Sequence, residues 1–218
     1  ADAGFELIEK FIASEQTASL LELLTVLEVP PLRGGLRRID QLIPQVAQLA
    51  KSATLINVAQ TRLTGKPKLV RAIFFEKSPE NNWLVTWHQD KTVAVTERFE
   101  DDQWGPWSKK AGVWHVKPPL AVLENMVTIR IHLDNTTSEN GCLKIVPGSH
   151  KHGLSENQKP QSVCNENATY CEIAAGGALV MRPHIWHASE KSIVPRPRRV
   201  LHFEYAGYEL PKDITWAA

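Results

Sequence analysis

The sequence predicts a mainly β protein, a sandwich or barrel, preceded by helices. Three observations predict it. From about Lys68 onward, short β-branched and aromatic runs recur between Gly, Pro and Asn punctuation. No strand–helix–strand alternation, internal repeat or low-complexity tract interrupts them. Before Lys68, apolar residues recur at helical spacing instead. A chain of 218 residues suits one domain. We expect a single domain over 1–218, with 1–65 as helical support and 66–210 as the β core.

Taken in order, Ser14 is placed to cap a helix running through Glu28, with Leu20, Leu21, Leu23, Leu24 and Leu27 as its apolar side. Pro30 and Pro31 stop it, and Gly34 and Gly35 supply a turn. Ile39, Leu42, Ile43, Val46 and Leu49 space a second helix, in which Pro44 must sit in or near the first turn. Strands are then expected near Leu69–Glu76, Trp83–His88, Thr92–Thr96, Gly112–Val116, Met126–Leu133, Leu143–Val146, Tyr170–Ile173, Ala178–Met181 and Val200–Tyr205. The polar stretch Glu97–Gly112, with Trp104 and Trp107, reads as a long loop of the kind that covers a site.

Composition excludes several classes. At 43% hydrophobic and 22% charged residues, a sizeable core forms and wholesale disorder does not. Lys and Arg number 25 against 24 acidic residues, so a net charge of +1 gives no global field for nucleic acid or an anionic membrane. The longest near-apolar run, Ile173 to Met181, is too short for a bilayer span. No signal-peptide pattern opens the chain, and a first residue other than Met leads us to expect processing there. Cys142, Cys164 and Cys171 are odd in number and lack metal spacing, so reduced thiols and a cytoplasmic location are expected.

Phosphate-loop, dinucleotide, nucleophile-elbow and zinc-finger patterns are absent. What remains is histidine with carboxylate, in two His-x-Asp triplets, His88-Gln89-Asp90 and His132-Leu133-Asp134. Chance alone gives about 0.25 such triplets at this composition, so one of the two can be accidental. Two imidazoles and one carboxylate on one face of an octahedral metal leave three open positions, the ligand set of non-haem Fe(II) oxygenases. A strand ending at His88 can aim residues i and i+2 to one side. The second imidazole must come from a distant strand, and His187 and His184 compete for it. Asp134 opens a turn-rich stretch, where Asp commonly bonds backbone. Thr128, Arg130 and His132 alternate with Val127, Ile129, Ile131 and Leu133, as either a solvated strand face or the polar lining of a barrel.

These residues carry a resemblance. Trp87-His88-Gln89-Asp90, the block Asn140-Gly141-Cys142-Leu143-Lys144-Ile145-Val146-Pro147-Gly148-Ser149-His150-Lys151, His187-Ala188-Ser189 and Pro197-Arg198-Arg199 resemble the phytanoyl-CoA dioxygenase-like branch of the Fe(II)/2-oxoglutarate oxygenases. Together they span Trp87 to Arg199, about half the chain. The resemblance implies a double-stranded β-helix (jelly roll) behind the N-terminal helices, and Fe(II) ligated by His88, Asp90 and His187. It also implies 2-oxoglutarate and O2 as cosubstrates, with a small-molecule substrate hydroxylated and succinate and CO2 released. Arg198, eleven residues after His187, takes the family's place for the arginine that grips the far carboxylate of 2-oxoglutarate. Ser189 supports it, and Gln89 and Lys77 lie near further cosubstrate contacts. Asp90 stands where halogenating relatives carry a small residue, which favours hydroxylation.

Strand parity leaves a tension. Arg198 shares its side with His202 and Glu204, whereas Arg199 shares the apolar side of Leu201, Phe203 and Tyr205. Arg198 is the clamp if the polar side faces the metal, Arg199 if the apolar side does. For the substrate, Trp87, Trp107, His115 and Arg130 are the candidates, with Trp104 and Trp114 behind them. Lys66, Lys68 and Arg71 read as a solvated strand edge, and His150 as part of a structural turn. The alternative function is a catalytically inert jelly-roll binding module with a vestigial metal site. Oxidative demethylation of nucleic acid and a Zn- or Mn-loaded cupin-type enzyme rank below it.

Overall fold

A computed structural model describes residues 2–27, 35–110, 112–156, 159–211 and 213–218. Pro30, Pro31 and Gly34, and the expected helix end at Glu28, lie outside the described residues. In chain order the strands are β1 Phe5–Ile8, β2 Leu36–Arg37, β3 Lys68–Lys77, β4 Val85–His88, β5 Val93–Val95, β6 Trp107–Lys110, β7 Val113–Val116, β8 Met126–His132, β9 Leu143–Ile145, β10 Thr169–Tyr170, β11 Ala178–Met181, β12 His187–Ser189 and β13 Arg198–Ala206. The helices are α1 Ser14–Val26, α2 Ile39–Leu42, α3 Pro44–Ala50, α4 Ala53–Gln60 and α5 Leu120–Glu124.

Local chemistry explains the helical region. In α1 the extended Ala13 is the N-cap and Ser14 is already helical, so the expected serine cap does not form. The register is set by burial of Thr17, Leu20 and Leu24. The expected second helix is two helices. Proline disfavours helical backbone in the residue before it, and Ile43, before Pro44, is extended at φ −123° and ψ 107°. Pro44 therefore starts α3, in the first turn as its missing N–H requires. In α4, which the sequence did not reveal, the Ser52 side chain accepts a hydrogen bond from the Leu55 N–H.

Six strands form one antiparallel sheet in the order β1-β11-β8-β13-β3-β2, and four form a second, β10-β9-β12-β4. A third sheet, β5-β7-β6, stands beside them. The N-terminal 65 residues thus contribute two strands as well as helices. Leu143 and Ile145 of β9 pack on Leu179 and Met181 of β11, so the two larger sheets face each other and close at that end. This is the jelly roll. The outer side of the large sheet carries Ala72, Phe74, Val127, Ile129, Ile131, Leu201, Phe203 and Tyr205, which pack on Leu20, Leu24, Val46, Leu49 and Leu55 of the helices. Burying each Val, Leu, Ile or Phe of this set is worth roughly 1.5–3 kcal/mol. The Tyr205 hydroxyl, deep in that layer, donates to the Ala50 carbonyl at 2.6 Å.

The expected long loop is a correction in part, because Trp107–Lys110 is strand β6, paired with β7. No helix among the described residues is long and apolar enough to cross a membrane.

Candidate metal centre

Alternation decides which side chains of the large sheet face inward. With Leu201, Phe203 and Tyr205 committed to the helices, Arg198, His202 and Glu204 of β13 turn toward the second sheet. Across the ladder His202 pairs with Arg130 of β8. On β3 Arg198 pairs with Lys77, Val200 with Phe75, and Glu204 with Arg71. Thr128, Arg130 and His132 are all buried, so β8 presents an interior lining and not a solvated face. Between the sheets lies a cavity of about 310 Å³, lined among others by Ile73, Phe75, Trp83, Val85, Leu143, Arg130, Arg198 and Ser189.

His88 and His187 meet at this cavity because β4 and β12 are antiparallel neighbours with these two residues directly opposite. Their rings lie 4.2 Å apart between centroids. Asp90 follows β4 by two residues and is held by its N–H to the Pro183 carbonyl (3.1 Å). Its carboxylate oxygens lie 3.6 Å from His88 Nε2 and 3.7 Å from His187 Nε2, and the three ligand atoms fall within 4.8 Å of one another. Each imidazole places Nδ1 on a backbone carbonyl, His88 on Thr86 at 2.9 Å and His187 on Ile185 at 2.8 Å. A carbonyl only accepts, so Nδ1 carries the proton and Nε2 keeps its lone pair. Burial, with the neighbouring His88, pushes His187 down to about 4, which keeps it neutral. Burial works against ionisation of Asp90, but the field of His187, His88, His202 and Arg71 prevails and holds its carboxyl below the usual range. Two neutral nitrogens and one carboxylate, convergent and oriented by the backbone, are the donor set of a divalent first-row metal.

Asp90, His202 and Glu204 also converge within 4.8 Å, but their donors are spent. Arg130 Nη1 donates to His202 Nδ1 (2.8 Å), so His202 Nε2–H donates to Glu204 Oε1 (2.9 Å). Arg71 grips the Glu204 carboxylate through Nε and Nη2 at 2.8 and 2.9 Å.

Arg198, 3% exposed, has no partner for Nε or Nη1. Burial and the charge of Arg130 push it down to about 9. Opposite it, Lys77 is wholly buried, donates to the Ser189 hydroxyl and the Glu190 carbonyl, and is pushed down to about 7 by burial and by Arg198 and Arg130. The open donors of buried Arg198, with Lys77 behind Ser189, form a socket for a carboxylate. Arg199, by contrast, is occupied: its Nε and Nη2 hold the Asp134 carboxylate at 2.9 and 2.8 Å. That pair also disposes of the second triplet, whose His132 turns Nδ1 to Thr136 Oγ1 at 2.8 Å.

A family model for phytanoyl-CoA dioxygenase (PhyH) matches residues 2–200. The chain belongs to the PhyH family. It is 30% identical over 93 residues to a methylphosphonate hydroxylase of Gimesia maris, covering 40% of this chain and 36% of that one. The PhyH-family fold is also that of EctD from S. alaskensis with bound Fe, at TM-score 0.71 and 19% identity over 94% of this chain and 73% of that one. HygX from Streptomyces hygroscopicus with nickel and 2-oxoglutarate bound gives TM-score 0.66 and 16% identity over 94% and 82% of the two chains. The chain spans about a quarter to a half of the length of the curated relatives it matches.

Within this PhyH-family fold, four residues expected at the site are elsewhere. Gln89 alternates away from His88 and Asp90. Its amide donates to the carbonyls of Gly153 (2.8 Å) and His184 (2.7 Å) and accepts from Ser155 N–H (3.0 Å), so it braces the turn behind the triad. Trp87, also opposite in parity to His88, packs on Val146, Val163 and Trp186. Trp107 is part of an aromatic cluster with Phe99 and Trp114 outside the cavity. His115 is buried on β7 in the third sheet, behind Arg71. The rival His184 stacks edge-on to His150 at 6.0 Å, away from Asp90. The sequence reading put His202 and Glu204 on the side of Arg198 without giving them a role, missed Trp83, and took Arg71 for a strand edge although its side chain is only 14% exposed.

Proposed function

We propose that the protein is an Fe(II)/2-oxoglutarate-dependent dioxygenase that hydroxylates a small molecule, with O2 as co-substrate and succinate and CO2 as coproducts. The observation that supports this best is the pairing, across one cavity, of the His88, Asp90 and His187 donors with an Arg198 guanidinium whose Nε and Nη1 lack partners. His88, Asp90 and His187 would hold the metal. Arg198, aided by Ser189 and Lys77, would hold the far carboxylate of 2-oxoglutarate. When bound, iron with 2-oxoglutarate and O2 supplies the oxidation of an unactivated C–H bond. The chain's part is to orient both imidazoles through their Nδ1 bonds, to keep the cosubstrate end-on by charge, and to exclude water with Ile73, Phe75, Val85 and Leu143. Arg130 is the one residue of the expected substrate set that lines the cavity.

We read the chain as one oxygenase domain over 1–218, a cytoplasmic protein whose partner is a small molecule and not nucleic acid or a membrane. The near-zero net charge supports that. The test is incubation with iron, ascorbate and labelled 2-oxoglutarate. Iron binding with labelled CO2 release, even uncoupled, is expected. Neither one would favour the inert binding module, and turnover independent of 2-oxoglutarate would favour a cupin-type enzyme.

A further inference from the structure

Arg37, on β2, sits opposite Ile73 of β3 and so shares the inward side of the large sheet with Arg71. With Lys110, at the end of β6, these residues rim the cavity that holds His88 and Asp90. The Arg37 Nε is buried without a partner. Burial and the charge of Arg71 both push Arg37 below its ordinary value, and no carboxylate offsets them. Neither Arg37 nor Lys110 forms an ion pair with any described residue, whereas Arg71 is neutralised by Glu204. Clustered cations without counter-charge cost stability, and a half-buried guanidinium with an open donor costs more.

The charge count of the loaded site sharpens this, and it rests on the function proposed above. A divalent metal, Asp90, doubly anionic 2-oxoglutarate and Arg198 sum to zero, and a protonated Lys77 adds one positive charge at the inner end. Arg71 cancels Glu204. Arg37, Lys110 and Arg130 are left over, two of them at the rim.

We propose that the substrate is an organic anion, its carboxylate or phosphoryl group held at the cavity rim by Arg37 and Lys110, with its apolar part directed inward over Ile73 and Phe75. This makes Arg37 and Lys110 specificity-determining residues. A neutral substrate would leave them uncompensated, and a cationic one would be repelled.

The test uses the full chain loaded with Mn(II) and saturating 2-oxoglutarate, so that Arg198 is occupied. Inorganic phosphate, acetate and the neutral isostere acetamide are the probes, read by paramagnetic enhancement of their 31P or 1H relaxation, with Zn(II) as the diamagnetic control. Mn-dependent enhancement for phosphate or acetate and not for acetamide is expected, and the stronger of the two anions names the group. In the Arg37→Gln/Lys110→Gln variant the probe should bind about tenfold more weakly. Single Arg37→Lys should recover part of the loss by restoring charge without the fork. Enhancement equal for acetamide, or undiminished in the double variant (as direct ligation of the metal would give), overturns the proposal. Failure of the wild type to bind Mn(II) and 2-oxoglutarate would instead remove the function on which it rests.

Discussion

Replacing Arg198 with Met separates what this residue costs the empty protein from what it gives the loaded one. Its guanidinium is 3% exposed, two of its nitrogens lack partners, and it lies beside Lys77 and Arg130. Removing a buried, unsatisfied charged group while keeping the apolar stem relieves about 1–3 kcal/mol. At roughly 2–4 °C per kcal/mol for a chain of this size, the Tm without 2-oxoglutarate should rise by about 2–12 °C. Binding should move the other way. Two charge-assisted contacts at roughly 1.5–3 kcal/mol each predict a Kd raised at least about a hundredfold. With 2-oxoglutarate at about 100 times the wild-type Kd, the wild type gains about 2.7 kcal/mol and the variant under ~0.5 kcal/mol. Thermal melts of Mn(II)-loaded protein with and without 2-oxoglutarate read both effects. A lower Tm together with an unchanged 2-oxoglutarate shift would refute the reasoning.

Arg199→Ala should do the opposite, lowering stability by about 1–2 kcal/mol through loss of the Asp134 fork while leaving 2-oxoglutarate affinity intact in a titration. Lys77, pushed down to about 7 in the folded chain from its ordinary 10.5, gives a signed pH effect. Between those values the unfolded chain holds the proton longer, so stability should rise as pH rises from about 7 to about 10.5. Urea denaturation across that window reads it, and Lys77→Met should flatten the slope. Gly141 adopts φ +75°, and an added Cβ would meet the Glu190 carbonyl at 2.5 Å and Lys77 Nζ at 2.9 Å. Gly141→Ala should therefore cost at least about 1 kcal/mol in denaturation and weaken 2-oxoglutarate binding by displacing Lys77.

Much of this was legible in residue order because alternation has a period of two. The run Arg198 to Tyr205 already split into polar and apolar sides, and the structure shows the apolar side under the helices, so the polar side and Arg198 face the cavity. His88 and Asp90 were readable for the same reason, two positions apart at a strand end. The same periodicity argued against Gln89, which the family resemblance had placed near the cosubstrate, and against the pocket candidate Trp87, because each lies on the other side of the chain from its neighbour His88. What residue order could not supply was long-range pairing. Strand β12 is three residues long, and nothing local announces that His187 stands opposite His88. Strands β1 and β2, four and two residues long, also depend on partners far along the chain, which is why the N-terminal region read as helix alone. Arg37 and Lys110 carry no motif, and only the closing of three sheets around one cavity brings them together.

The most direct measurement is an anaerobic Fe(II) titration of the wild type, Asp90→Ala and His187→Ala, followed by calorimetry. The account predicts one iron per wild-type chain, with binding lost or weakened by orders of magnitude in both variants while their folded spectra persist. Wild-type stoichiometry and affinity in either variant, or no iron bound by the wild type, would contradict it.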